Sequence, residues 1–113
     1  MIRNGTQVIY ETRGEVLVIR VGGEIDHHSA VSVRTGIDAR LAAERPRRVM
    51  LELSAVDFMD SSGLGLIMGR FALVKQYGGT LAILDPSQAV LKIVKLAGME
   101  RMVSILRTKG KPS

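Results

Sequence analysis

Asp60-Ser61-Ser62-Gly63 is the group whose residue types and spacing most invite chemistry in this chain. It falls between a β-type run and a stretch of helical periodicity, so its hydroxyls belong where a helix begins. A helix start offers unpaired N–H groups and the positive end of the backbone dipole, both of which favour negative charge. The simplest reading is structural, because Asp, Ser and Gly are all good N-cap residues. A hydrolase elbow would need Gly-x-Ser-x-Gly, and neither Ser61 nor Ser62 has those flanks. A phosphate-gripping loop would need a Lys placed after its glycines, and Gly63, Gly65 and Gly69 do not supply that pattern.

His27-His28 raises the question of a metal. Adjacent histidines at a helix start point in different directions, and the chain has two His and no Cys. Zinc needs three or four convergent ligands, so no metal and no cofactor are expected. Asp26, Asp57 and Asp60 would form an acidic cluster only if the fold gathers them. No general acid–base pair and no Ser-His-Asp set has a recognisable context. The three glycines at 63, 65 and 69 leave two explanations open: close packing of a helix against a sheet, or a bare surface for a partner.

The elements that must position these residues alternate. Residues 7–12 and 15–21 are β-type runs separated by Arg13-Gly14, which reads as a hairpin, and Gly22-Gly23 is expected to stop the second strand. Asp26 to Ser29 offers N-caps ahead of a 3.6-period stripe of Ala30, Val33, Ile37 and Leu41, which Pro46 closes. Residues 49–53 alternate as a strand, with Val49, Leu51 and Leu53 on one side and Met50 and Glu52 on the other. Residues 57–63 are expected to be a loop opening a second helix with the stripe Leu64, Ile67, Met68, Phe71 and Val74. Gly78-Gly79 stops it, residues 80–84 form a fourth strand, and Asp85-Pro86 is expected to cap a third helix reaching Leu96. A weak fifth strand over 103–106 follows.

The order ββαβαβα(β) implies parallel strands joined by right-handed crossovers. With strands side by side in sequence order, the helices fall mainly on one face. The expected fold class is α/β: a mixed, mostly parallel sheet with an initial antiparallel strand. Leu17, Ile19, Leu51, Leu53, Ile67, Phe71 and Ile83 are the expected core.

Length and composition set the frame. The 113 residues suit one domain, 1–108, with a polar tail at 109–113. Hydrophobic residues make up 46% and charged residues 24%, the profile of a globular chain. No apolar run approaches the ~20 residues of a membrane span, and the first residues lack the apolar core of a secretory signal. With no cysteine there is no disulfide. The expected address is cytoplasmic, with no membrane partner. The net charge of +5 is scattered, its densest group being Arg45-Pro46-Arg47-Arg48. Aromatics are only 4%, too few for a base-stacking platform, so direct nucleic-acid binding is not expected.

Glu24-Ile25-Asp26-His27-His28, together with residues 58–70 (Phe58-Met59-Asp60-Ser61-Ser62-Gly63-Leu64-Gly65-Leu66-Ile67-Met68-Gly69-Arg70), closely resembles the bacterial anti-sigma factor antagonists, small STAS-domain proteins of partner-switching pathways. The resemblance covers nearly the whole chain, and Asp-His-His with Gly-Arg makes it most similar to the sporulation branch. It implies a STAS fold and regulation by binding rather than catalysis. In that family the unphosphorylated antagonist binds an anti-sigma factor that is also an ATP-dependent serine kinase, and so releases the sigma factor. The kinase phosphorylates the first Ser of the pair, here Ser61, and a serine phosphatase restores it. The resemblance implies a partner-binding set of Asp26, Asp60, Ser61, Ser62, Gly63 and Gly65. A STAS module of a general stress pathway is the alternative within the fold, and a small serine hydrolase the alternative outside it.

Overall fold

A computed structural model describes residues 5–108, so the tail expected at 109–113 lies outside the described residues. The strands are β1 (Thr6–Arg13), β2 (Val16–Ile25), β3 (Arg48–Met59), β4 (Thr80–Leu84) and β5 (Ser104–Leu106). The helices are α1 (His27–Glu44), α2 (Ser61–Gln76) and α3 (Gln88–Leu96), followed by a short 3₁₀ turn, Met99–Arg101. The sheet order is β1-β2-β3-β4-β5; β1 pairs antiparallel with β2 and every other pair is parallel.

Register turns the alternation seen in the sequence into one buried face. Leu17, Val49 and Leu81 lie in one row across β2, β3 and β4, and Ile19, Leu51 and Ile83 in the next. All six are at most 5% exposed. The opposite face carries Arg20 beside Glu52, and Val18 beside Met50 and Ala82, none of them buried. Each crossover steps the same way along the sheet, and a constant right hand then stacks all helices over one side. α2 sits between α1 and α3 and touches both.

Four local expectations are corrected. Gly22-Gly23 does not stop β2; the pairing with β3 shifts register on either side of this pair and the strand continues to Ile25. Gly22 approaches Ala55 so closely that a Cβ would lie 3.1 Å from the Ala55 Cβ, and Gly23 has φ +86°. The two glycines make irregularities rather than an end, as glycine in a strand commonly does. Asp57, Phe58 and Met59 belong to β3, not to a loop. The cap of α3 is Ser87, whose Oγ accepts from Val90 N at 3.2 Å; Asp85, at φ +49°, instead accepts from Thr108 N at 2.9 Å. Phe71 is half-buried at the edge of the core, while α2 buries Gly63, Leu66, Ile67, Arg70 and Val74. A hydropathy stripe overlooks a face that includes an arginine.

Candidate functional site

Ile25 and Met59 are register partners at the ends of adjacent parallel strands, and both are buried. The residues that follow them, Asp26 and Asp60, therefore emerge side by side, and Asp60 N donates to Ile25 O at 3.2 Å. Each aspartate caps a helix. Asp26 Oδ1 accepts from Ser29 N at 2.9 Å while Ser29 Oγ accepts from Asp26 N at 2.9 Å, a reciprocal capping box. Asp60 Oδ1 accepts from Ser62 N at 2.8 Å. The C-terminal ends of two neighbouring interior strands thus launch α1 and α2, with both N-termini at the same end of the sheet.

Within this frame the hydroxyls separate. Ser61 is the first residue of α2 and is exposed; its hydroxyl makes no hydrogen bond to another described residue. Capping is already done by Asp60, so the fold makes no demand on Ser61 Oγ. Ser62 is half-buried and lines a groove of about 320 Å³ between α1 and α2. Gly65 is exposed on the same groove. Gly63 is different: it is buried, and a Cβ there would lie 2.2 Å from Met59 Cγ and 3.4 Å from Ile25 Cγ2. It lets α2 start directly on the strand ends and is not available for direct contact. The expected set thus comes together, with Asp26, Asp60, Ser61, Ser62 and Gly65 reaching the surface and Gly63 beneath them.

His27 and His28 are both exposed with ring centroids 6.4 Å apart. Asp57 is exposed on β3, three residues before Asp60. Sequence reasoning missed Arg70, which is 6% exposed and places Nε 2.8 Å from Asp38 Oδ1. Its signal was positional: Arg70 follows Gly63 by seven residues and Leu66 by four, so it shares their face of the helix.

The Asp26 carboxyl is held below the usual aspartate range, chiefly by the Ser29 backbone N–H and further by the Ser29 hydroxyl, with desolvation opposing. A depressed carboxyl stabilises the fold above the ordinary aspartate pKa and loses that contribution as pH falls through its lowered value. We expect a carboxyl-detected NMR titration to place Asp26 below ordinary aspartates, and Ser29→Ala to move it part of the way back. A midpoint at or above the ordinary value would contradict the capping geometry.

Residues 7–111 match the family model of the STAS domain. The anti-sigma F factor antagonist of Paenibacillus polymyxa is 35% identical over 99 residues, covering 88% of this chain and 85% of that protein. The solved structure of the anti-sigma factor antagonist SpoIIAA in its unphosphorylated form superposes with a TM-score of 0.79 at 28% identity, covering 91% of this chain and 89% of that one. The phosphorylated form of SpoIIAA from Bacillus gives a TM-score of 0.73 at 27% identity, covering 91% and 92%.

Proposed function

The chain belongs to the STAS-domain family, and from that premise we propose that it is an anti-sigma factor antagonist of the sporulation type, switched by phosphorylation of Ser61. Unphosphorylated, it binds an anti-sigma factor that is also a serine kinase, and the sigma factor is released. The kinase directs Ser61 Oγ at the γ-phosphorus of ATP; the hydroxyl proton leaves, an O–P bond forms and ADP departs. A serine phosphatase returns the hydroxyl by hydrolysis. The protein is substrate and switch, with no catalytic residues, cofactor or metal of its own, and with no nucleic-acid or membrane contact. Its work is placed in the cytoplasm, where the kinase finds ATP. Among the described residues no helix is long and apolar enough to cross a membrane.

The observation that carries this reading is the exposed hydroxyl of Ser61 at the start of a helix already capped by Asp60. A phosphate there adds about −1.5 to −2 charge at pH 7. The free N–H groups and dipole of α2 favour that charge, so the fold tolerates it. A partner packed over the turn does not, because bulk and desolvation now oppose the contact. Asp26 and Asp60 flank the serine and, with Ser62 and Gly65, form the surface the partner covers; Gly63 supports it from below.

The test is incubation with the cognate anti-sigma kinase and ATP, followed by mapping of the phosphosite. We expect phosphate on Ser61. Ser61→Ala should fold normally, bind the kinase and resist modification. Phosphate on Ser62, with Ser61→Ala modified as fast as the wild type, overturns the assignment.

A further inference from the structure

We propose that the groove between α1 and α2 receives a carboxylate side chain of the kinase, held between Arg34 and the buried Arg70. The inference rests on the function proposed above and names the chemistry of the contact.

Two features of the groove and one of the whole molecule support it. The first is charge. Arg34 on α1 and Arg70 on α2 both line the groove, with Val31 and Leu66 as apolar walls. Arg70 has a side chain only 7% exposed, and the carboxylate packed against it is Asp38. Although Nε and Asp38 Oδ1 are 2.8 Å apart, neither atom has an aligned hydrogen bond. Burial pushes the Arg70 pKa down, Asp38 pushes it up, and Arg34 pushes it down again. Arg34 and Arg70 share the groove lining while Asp38 pairs with Arg70 alone, which leaves a surplus positive charge in a partly desolvated groove. An incoming anion relieves the repulsion between them, and a guanidinium offers a carboxylate two parallel N–H donors.

The second feature is Gly65. A Cβ added there meets nothing within 4 Å, so internal packing does not require glycine at this position. Glycine is a poor residue for a helix interior. Its use on an exposed groove wall is explained by something outside the chain that must come close. The half-exposed Val31, at 48%, offers that visitor an apolar contact opposite.

The third is the whole molecule. A net charge of +5 draws an acidic surface in, and clefts lined by one sign of charge focus that attraction. An acidic residue of the partner then enters the groove whose lining includes Ser62, the neighbour of the residue to be modified.

The experiment measures binding of the unphosphorylated protein to the cognate kinase at about 50 and 300 mM salt. Arg34→Glu should weaken binding more than tenfold and flatten its salt dependence, and Arg34→Gln should fall between it and the wild type. Arg101→Glu, in the 3₁₀ turn away from the groove, should bind within about twofold of wild type. Gly65→Ala should raise the melting temperature by a few degrees yet weaken binding several-fold. Reversing one acidic residue of the kinase should restore binding to Arg34→Glu. Wild-type binding by both Arg34→Glu and Gly65→Ala overturns the groove; if Ser61→Asp still weakens binding, the proposed function survives that result. No complex between the unmodified wild type and the kinase overturns both.

Discussion

Phosphorylation of Ser61 is expected to weaken binding to the anti-sigma kinase by more than a hundredfold while leaving the backbone nearly unchanged. The two halves of this expectation come from different magnitudes. At the exposed start of α2 the added charge gains ~0.3–1 kcal/mol from the helix end, and the Asp60 carboxylate beside it offsets part of that gain. Against any residual strain stand Leu66, Ile67 and Val74, all buried, which anchor α2 at about 1.5–3 kcal/mol each. The helix therefore stays where it is. At the interface nothing compensates: a doubly charged group occupies the place of a hydroxyl against a packed partner. A loss of ~3 kcal/mol there already exceeds a hundredfold in affinity. Calorimetry on both forms gives the affinity ratio, and amide spectra give the extent of change. Shifts confined to the neighbourhood of Ser61, Asp26 and Gly65, with a melting temperature moved little, agree with a local switch. Ser61→Asp, with about half the charge, should weaken binding less. Shifts spread across β2 and β3 would mean that the fold itself is the switch.

Gly63→Ala and Gly65→Ala should change stability in opposite directions, although the residues are two apart in one helix. At Gly63 a Cβ would lie 2.2 Å from Met59 Cγ, far inside any real contact. That Cγ is close to the Met59 backbone and the residue is only 7% exposed, so little rotation is available to it. Relief requires α2 to lift off the strand ends or Met59 to leave its place beside Ile25. Overpacking of this kind costs about 1–3 kcal/mol and outweighs the better helix propensity of Ala. Net of that gain, the melting temperature should fall by roughly 3–10 °C. At Gly65 the space is open, so Ala brings its propensity gain of up to ~1 kcal/mol with no clash. Thermal unfolding of the two variants beside the wild type decides it. A Gly63→Ala protein as stable as the wild type would show that the start of α2 is not held against Met59.

The correspondence between these expectations and the residues is uneven, for reasons that differ by element. Strand and helix alternation, the one-sided sheet and the caps of α1 and α2 are written in local patterns. Val49, Leu51 and Leu53 alternate with Met50 and Glu52 whatever surrounds them, and Asp26 precedes a 3.6-period stripe. The cap of α3 is not legible in this way, because Asp-Pro and Ser-Gln both read as helix starts and only Ser87 caps. The continuation of β2 through Gly22-Gly23 is equally hidden, because glycine pairs signal ends and bulges alike. The resemblance to a known family picked out Ser61 where residue chemistry alone left a cap.

By itself, then, the sequence determined the class of fold, the order of its elements, which strand faces are buried and where two helices begin. Only the tertiary structure decided that irregular pairing carries β2 on to Ile25, level with Met59, so that Asp26 and Asp60 stand together. It alone turned Gly63 inward and Gly65 outward, freed Ser61 from capping and buried Arg70 against Asp38. The physical reason is range. Periodicity and capping act over three or four residues of one chain segment. Register, close approach and the pairing of buried charges depend on distances between segments far apart in sequence, which are settled only when the core packs.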